Sequence, residues 1–276
     1  MPLDSFSDSR LLDALTAIVS RAGAAILAAG ETPALRLKAD ESPVTAADEA
    51  AEALILQELA RLLPSVPVIS EEAVARGEVP TLGATFILVD PLDGTREFID
   101  GRPEYTVNIG IVVNGTPVLG VIMAPPTGLI WRGVLGKGAE RLLVPLGAEF
   151  DQSIQAVPIH PRSAASSKGL TVTLSRSYQD PDTNAFVDTL PISKRLTCGS
   201  SIKFCWLAEG SADVYPRLRP PMQWDIAAGH AILAAAGGTV LQPDGRPPHY
   251  GQVSGGFRAS PFIAWGDPNA ARHHRP

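Results

Sequence analysis

The stretch Val89-Asp90-Pro91-Leu92-Asp93-Gly94-Thr95 decides how this chain is organised. The apolar, branched residues 86–89 lead into it and predict a buried strand. We expect this strand to stop at Asp90 and a tight turn to follow, because the proline fixes one φ angle and the glycine permits a conformation that other residues resist. A helical first turn is predicted over residues 95–99. Two carboxylates would therefore lie at the end of a strand, beside the free N–H groups of a helix start.

Groups of this kind bind cations and phosphate. Hard divalent cations prefer carboxylate oxygens as ligands, and phosphate oxygens accept hydrogen bonds from N–H groups at a helix start. For this segment alone, an ordinary aspartate-rich β-turn remains the alternative.

Composition limits the class of protein. The 276 residues are 45% hydrophobic and 19% charged, which is typical of a globular protein with one large domain or two smaller ones. The net charge is −6 and no basic run stands out, so a nucleic-acid polymer is not an expected partner. Cys198 and Cys205 fit neither a zinc site nor a redox pair in their spacing, and we expect buried free thiols.

Features of secretion and of membrane insertion are not expected. The amino-terminal residues include acids and lack the basic-then-apolar order of a signal peptide. No apolar run is expected to reach the length of a membrane span, so no integral membrane segment is predicted. A cytoplasmic protein is the simplest interpretation. Peripheral attachment to the inner membrane and the oligomeric state are left open.

Periodicity predicts a mixed α and β chain. The predicted helices cover residues 11–26, 45–62, 95–99, 183–190, 201–209 and 225–236. The predicted strands cover residues 35–38, 66–69, 86–89, 106–113, 117–123, 130–134, 171–175, 212–215, 239–241 and 262–265. The pair Asn114-Gly115 predicts a hairpin, and the residues from 269 onwards are expected to be disordered.

The predicted architecture has helices layered against two sheets. The segment 144–167, rich in proline and serine, is the expected domain boundary. We therefore predict an N-terminal α+β domain over residues 1–150 with most of the acids. A C-terminal α/β domain over residues 151–276 would supply Asp225 and further substrate contacts, with the site where the two halves meet.

Acidic residues lie at the termini of predicted elements in four segments of the chain. Each one alone is a helix cap or a solvated acid, and an N-cap is the alternative for the last of them. Converging carboxylates repel one another, so their convergence would imply bound cations. The residues are Asp48, Glu71 with Glu72, Asp90 with Asp93, and Asp225.

Three segments together resemble the signature set of the inositol-monophosphatase-like, lithium-sensitive phosphatase superfamily. They are Glu71-Glu72, Asp90-Pro91-Leu92-Asp93-Gly94-Thr95 and Trp224-Asp225-Ile226-Ala227-Ala228-Gly229. Matching segments span residues 11–238, which is most of the chain. Residues 38–48 and 199–205 further resemble the CysQ-type 3'(2'),5'-bisphosphate nucleotidases, a branch of this superfamily. The fold implied by the resemblance is a layered α-β-α-β-α sandwich with two sheets.

The resemblance also implies a metal site and a catalytic group. Two or three Mg²⁺ ions would be held, a first by Glu71, Asp90 and the Leu92 carbonyl, and a second by Asp90, Asp93 and Asp225. Glu71, Thr95 and Asp48 would be catalytic. Thr95 would orient a water molecule, and Asp48 would accept a hydrogen bond from the Thr95 hydroxyl. The substrate would contact Glu71, Leu92, Asp93, Gly94, Thr95 and Asp225, and its phosphate would lie on the Gly94 and Thr95 amides. Its second phosphate or its sugar would meet Lys38, Ser200, Ser201 and Lys203, with Arg217 and Arg219 as further candidates.

The implied activity is removal of the 3'-phosphate from adenosine 3',5'-bisphosphate, giving AMP and phosphate, with a role in sulfur metabolism. An inositol or sugar phosphatase on the same scaffold is one alternative. A non-catalytic nucleotide-binding regulator is another. Other catalytic schemes lack their motifs: there is no Gly-x-Ser-x-Gly elbow, and Gly136-Lys137-Gly138 has no adjacent Ser or Thr. His230 lies inside a predicted helix and is expected to be packed rather than to act as a base.

Overall fold

The structure is a computed structural model, and it describes residues 8–30, 36–37, 43–146, 148–164, 169–178 and 180–274. The helices are α1 (Ser9–Ala29), α2 (Ala46–Leu62), α3 (Glu71–Ala75), α4 (Thr95–Ile99), α5 (Pro181–Asp188), α6 (Ile202–Ala208), α7 (Gln223–Ala236) and α8 (Pro268–His273). The strands are β1 (Arg36–Leu37), β2 (Pro43–Val44), β3 (Val68–Ser70), β4 (Thr85–Asp93), β5 (Thr106–Val113), β6 (Thr116–Ala124), β7 (Leu129–Val134), β8 (Gly138–Leu143), β9 (Val157–Ile159), β10 (Leu170–Ser175), β11 (Ile192–Cys198), β12 (Val214–Arg217), β13 (Thr239–Leu241) and β14 (Phe262–Trp265).

Two large sheets dominate the described chain. The first has seven strands in the order β3-β4-β5-β6-β7-β8-β9, in which only β3 and β4 are parallel. The second has five strands in the order β11-β10-β12-β14-β13, with parallel pairs on both sides of β10 and antiparallel pairs on both sides of β14. The remaining strands, β1 and β2, form a two-stranded antiparallel ribbon.

Helices cover both faces of each large sheet, so the chain forms five layers. The α1–α2 pair packs on one face of the seven-stranded sheet, and α7 lies across its other face. The α6–α7 pair fills the space up to the five-stranded sheet, whose outer face carries α5 and α8. Apolar clusters occupy the spaces between these layers, with Leu15 and Ile55 in the first, Phe204 and Ile232 in the second, and Val172 and Phe186 in the third. The predicted α-β-α-β-α sandwich with two sheets is confirmed.

A row of glycines lets α7 lie close to the seven-stranded sheet. Gly110, Gly120 and Gly133 are cross-strand neighbours on β5, β6 and β7. A Cβ atom on Gly110 would lie 2.8 Å from the Ala228 backbone nitrogen, and one on Gly120 would overlap the Ala228 carbonyl oxygen. Backbone therefore packs against backbone here. This glycine row fixes the position of the helix that carries the last acid of the signature.

Several predictions about individual elements need correction. Strand β4 does not stop at Asp90 but runs to Asp93, with an irregularity in its pairing with β5 between these two residues. Strand β11 was missed, and the tail that was expected to be disordered contains α8. In contrast, the hairpin at Asn114 and the buried free thiols are confirmed, and Thr45 and Asp48 form a capping box at the start of α2.

One described helix contradicts the expectation that no apolar run reaches the length of a membrane span. Helix α1 is long and apolar enough to cross a membrane, judged by length and composition alone. Half of its most apolar window is buried within the fold, where it packs on α2, β5 and β6. The core helix of a globular protein has this character, so the match is weak evidence of a span.

The division of the chain at residue 150 stays a prediction. The seven-stranded sheet extends beyond it, because β9 pairs with β8. The second apolar cluster also contains residues from both halves, among them Trp131 and Phe204.

Candidate active site

The two aspartates of the central stretch lie where β4 loses its regular pairing. Asp90 is buried, and its Oδ1 accepts a hydrogen bond from the Leu92 backbone N–H at 3.1 Å. The Asp93 carboxylate accepts a hydrogen bond from the Ser201 N–H and lies 3.5 Å from the Asn108 amide nitrogen. Gly94 has a φ of 99° and precedes α4, so the chain turns sharply directly after the second aspartate.

Glu71 and Asp225 reach the same place from other elements. Glu71 is the first residue of α3, directly after β3, which runs parallel to β4. Asp225 lies in the first turn of α7, and its Oδ2 accepts the Met222 N–H at 2.9 Å. It is therefore the third helical residue and not the N-cap that we considered. One carboxylate oxygen from each of Glu71, Asp90 and Asp225 lies within 4.8 Å of the others.

Like charges crowd this acid cluster. Asp93 and Asp225 are half-buried residues whose carboxyl groups are enclosed by protein atoms. Burial, followed by the charges of Asp93 and Glu71, raises the pKa of Asp225 well above its ordinary value. Burial also raises the pKa of Asp93 to about 6, against the opposing charge of Lys203. A hard divalent cation binds carboxylate oxygens and would offset the repulsion between these enclosed acids. The residues therefore fit such an ion.

Asp48 and Thr95 form a hydrogen-bonded pair beside the cluster. Thr95 Oγ1 lies 3.0 Å from Asp48 Oδ1 and 3.2 Å from the Leu92 carbonyl oxygen. The other oxygen of Asp48 accepts the Thr45 backbone N–H at 2.8 Å and the Thr45 hydroxyl at 2.5 Å. Asp48 therefore completes the capping box of α2 and contacts Thr95 at the same time. Glu72, beside Glu71, is buried, so the alternative of a solvated acid is wrong for it.

The predicted contacts of a second phosphate have different surroundings. Lys203 is buried rather than on the surface, and its Nζ donates to the carbonyl oxygens of Cys198 and Ser200 at 3.1 and 2.5 Å. The Ser201 hydroxyl is buried and bonds to Asn108 Oδ1 at 2.7 Å. Ser200 lines the cavity beside the acids at a φ of 50°. Lys38 lies outside the described residues.

Two acids from the first half form hydrogen bonds to the second half of the chain near these serines. Glu104 receives two hydrogen bonds from Arg176, the longer at 2.7 Å, and one from the Gly199 N–H at 2.8 Å. Glu97 is buried, and its Oε1 accepts the Ser177 hydroxyl at 2.5 Å. Neither residue was predicted from the sequence, because their partners are distant in the chain. One local signal was available for Glu97: it is an acid in the short helix that begins at Thr95, beside the predicted site.

A cavity opens beside the acid cluster, between the two halves of the chain. Asp93 and Asp225 line it together with Tyr178, Lys203 and Arg217. Arg219, the other arginine that we considered, does not line it. Tyr178 was not predicted from the sequence. His230 is packed, as expected: its Nδ1 lies 3.0 Å from the Tyr250 hydroxyl, and burial lowers its pKa to about 4.

A sequence profile described as the inositol monophosphatase family matches residues 7–270 of the chain. The chain belongs to this family. Within the inositol monophosphatase family, the 3'(2'),5'-bisphosphate nucleotidase CysQ of Escherichia coli strain K12 is 39% identical over 257 residues, which cover 91% of this chain and 99% of that protein. Inositol monophosphatase 1 of Solanum lycopersicum is 29% identical over 205 residues, or 73% of this chain and 72% of that protein.

A solved structure agrees with this assignment. CysQ from Bacteroides thetaiotaomicron, described as a bacterial member of the inositol monophosphatase family, superimposes with a TM-score of 0.78 and 35% identity. The match covers 95% of this chain and 98% of that structure. Phosphatases of the inositol monophosphatase family generally depend on Mg²⁺, and this member has a cluster of acids of the corresponding chemistry.

Proposed function

We propose that this protein is a Mg²⁺-dependent phosphomonoesterase that hydrolyses the 3'-phosphate of adenosine 3',5'-bisphosphate to AMP and inorganic phosphate. The observation that carries the proposal is the convergence of Glu71, Asp90 and Asp225 from separate elements, in a chain that is 39% identical to a CysQ nucleotidase. The cellular role would be in sulfur metabolism, and the location would be cytoplasmic.

The acids are the proposed ligands of two or three Mg²⁺ ions. Glu71, Asp90 and the Leu92 carbonyl would hold one ion, and Asp90, Asp93 and Asp225 a second. Bound Mg²⁺ supplies a Lewis acid that polarises the phosphoryl group and lowers the pKa of a bound water molecule. Asp93 keeps a defined orientation without an ion, because the Ser201 N–H and the Asn108 amide both lie at its carboxylate.

The Asp48–Thr95 pair is proposed to orient the attacking water. When the Thr95 hydroxyl donates its hydrogen to Asp48, its oxygen lone pairs face outwards as acceptors for a water proton. Asp48 can hold this arrangement because its second oxygen is fixed by two hydrogen bonds from Thr45. The Gly94 and Thr95 N–H groups would receive phosphate oxygens at the start of α4.

A phosphate-release panel tests the proposal. With Mg²⁺ present, adenosine 3',5'-bisphosphate should be turned over with a kcat/KM well above those of inositol 1-phosphate and fructose 1,6-bisphosphate. Millimolar lithium should inhibit the reaction. Asp225→Asn serves as the inactive control. Faster release from inositol 1-phosphate would favour an inositol phosphatase, and nucleotide binding without any release would favour a non-catalytic regulator. Either outcome contradicts the proposal.

A further inference from the structure

Among the described residues, Lys203 is one of two cationic side chains that line the cavity beside the acids, and two of its three N–H donors are used. Its Nζ donates to two backbone carbonyl oxygens and lies 5.2 Å from the centroid of the Tyr215 ring. Its charge acts on the enclosed carboxylate of Asp93. Most of the hydrogen-bonding capacity of Lys203 thus goes to the loop at Ser200 and its charge acts on the acids, so a further anion would need a second cation.

Arg217 is the second described cation of the cavity, and its charge acts on Asp225 without a direct ion pair. The residue is only 9% exposed, and its Nε donates to the Arg219 carbonyl oxygen at 3.0 Å. Within the described part of the chain, no carboxylate forms an ion pair with it and its terminal nitrogens have no hydrogen-bond partner. Burying a guanidinium without an anion is costly, so a nine-tenths buried arginine in the wall of a cavity favours an anionic ligand there.

Tyr178 brings a second arginine to the same place. The Cζ atom of Arg217 lies 5.2 Å from the centroid of the Tyr178 ring, and that of Arg96 lies 5.5 Å from it. Arg96 is exposed and, among the described residues, also has no carboxylate partner. Arg96 follows Thr95 in the chain, so it lies between the proposed phosphate-binding turn and the cavity wall at Tyr178. Two like charges on one ring repel each other, and a dianion between them would relieve this repulsion.

We propose that Arg217 and Arg96, held on the ring of Tyr178, bind the phosphate group of the substrate that is not cleaved. This inference rests on the proposed function: the two arginines would be the part of the site that distinguishes a bisphosphate from a monophosphate. Ions held by the acid cluster would neutralise only the phosphate that is hydrolysed, so the second phosphate would need cations of its own. Guanidinium groups suit it, because they bind phosphate oxygens through two parallel N–H bonds.

Selectivity kinetics test the inference. For wild type and each variant, kcat and KM are measured with adenosine 3',5'-bisphosphate and with adenosine 3'-monophosphate, which lacks the second phosphate. Arg217→Gln should raise the KM for the bisphosphate at least about tenfold, with a small effect on kcat and on the monophosphate. Arg96→Gln should act in the same direction, about threefold. Arg219→Gln is the matched control and should leave both substrates unchanged.

Tyr178 acts as a positioning residue, and conservative replacement separates this role from general damage. Tyr178→Leu removes the ring and should reduce the discrimination between the two substrates. Tyr178→Phe keeps the ring face and should restore most of that discrimination. Equal losses in the leucine and phenylalanine variants would contradict the positioning role.

A binding measurement makes the test independent of turnover. AMP keeps the second phosphate, so calorimetry compares the affinities of AMP and adenosine in the presence of Mg²⁺. Arg217→Gln should weaken AMP binding about tenfold and leave adenosine binding unchanged. Equal losses for both ligands, or a variant that keeps its full preference for the bisphosphate, would overturn the inference. A wild type that binds AMP through Arg217 but releases no phosphate would instead contradict the proposed function alone.

Discussion

Replacing Asp93 with asparagine should stabilise the metal-free protein and stop turnover. In the absence of ions, burial and neighbouring acids raise the pKa of Asp93 from 3.8 to about 6. The native state then binds more protons than the unfolded state between these two pH values, so stability falls as the pH rises through this window. A shift of this size corresponds to about 3 kcal/mol of stability, which is fully lost above pH 6. A neutral asparagine avoids that loss.

The assay is urea unfolding in EDTA over a range of pH. Asp93→Asn should exceed wild type by up to about 3 kcal/mol at pH 7.5, and the difference should vanish near pH 4. Saturating Mg²⁺ should stabilise wild type by about 3 kcal/mol at one hundred times its Kd, and the variant by much less. Phosphate release should fall at least about 100-fold.

The control for this experiment is an exposed acid outside the cluster. Asp100 lies 3.5 Å from Arg102 at the surface, so Asp100→Asn should change stability by less than about 0.5 kcal/mol. An Asp93→Asn protein that is less stable than wild type in EDTA at pH 7.5 would refute the electrostatic reasoning. Normal turnover in this variant would remove Asp93 from the site.

Three further changes test other parts of the structure. Burial lowers the pKa of His230 from 6.5 to about 4, so the unfolded state binds more protons than the native state between these two pH values. About 3 kcal/mol of stability should therefore be lost as the pH falls through this window. His230→Asn should flatten this part of the curve of urea-unfolding stability against pH. Gly120→Ala should destabilise by about 1–3 kcal/mol and weaken Mg²⁺ binding, because its Cβ overlaps the α7 backbone, whereas Gly255→Ala faces open space and should do neither in thermal unfolding. Glu104→Gln loses its ion pair with Arg176 and should cost about 1 kcal/mol in urea unfolding while raising KM more than it lowers kcat; an unchanged KM would contradict a role in holding the serine loop.

Features encoded within short stretches of sequence were predictable. The apolar run before Asp90 predicts a buried strand, and the spacing of Thr45 and Asp48 predicts a capping box. The small helix at the end of the chain also had a local signal, Asp267 followed by Pro268, which are its N-cap and first helical residue. We overlooked that signal and expected disorder instead.

Features that depend on long-range contacts or on exposed strands were not predictable. Strand β11 is an edge strand with exposed Lys194 and Arg195, so it lacks the alternating apolar pattern of a half-buried strand. The carbonyl partners of Lys203 depend on the φ of 50° at Ser200, and nothing in the sequence around the lysine indicates this turn. The arrangement of two arginines on Tyr178 joins residues from both halves of the chain.

The glycine row under α7 restricts how sequences from related proteins can be recombined. Where Gly110 and Gly120 meet Ala228, the sheet has no room for an added methyl group. A chimera that takes the sheet from one relative and α7 from another must therefore keep glycines on the sheet side of this contact, so that Asp225 keeps its place beside the other acids. The cavity-lining residues Tyr178 and Arg217 lie outside this contact. New substrate preferences are thus more accessible by exchanging wall residues than by exchanging whole halves of the chain.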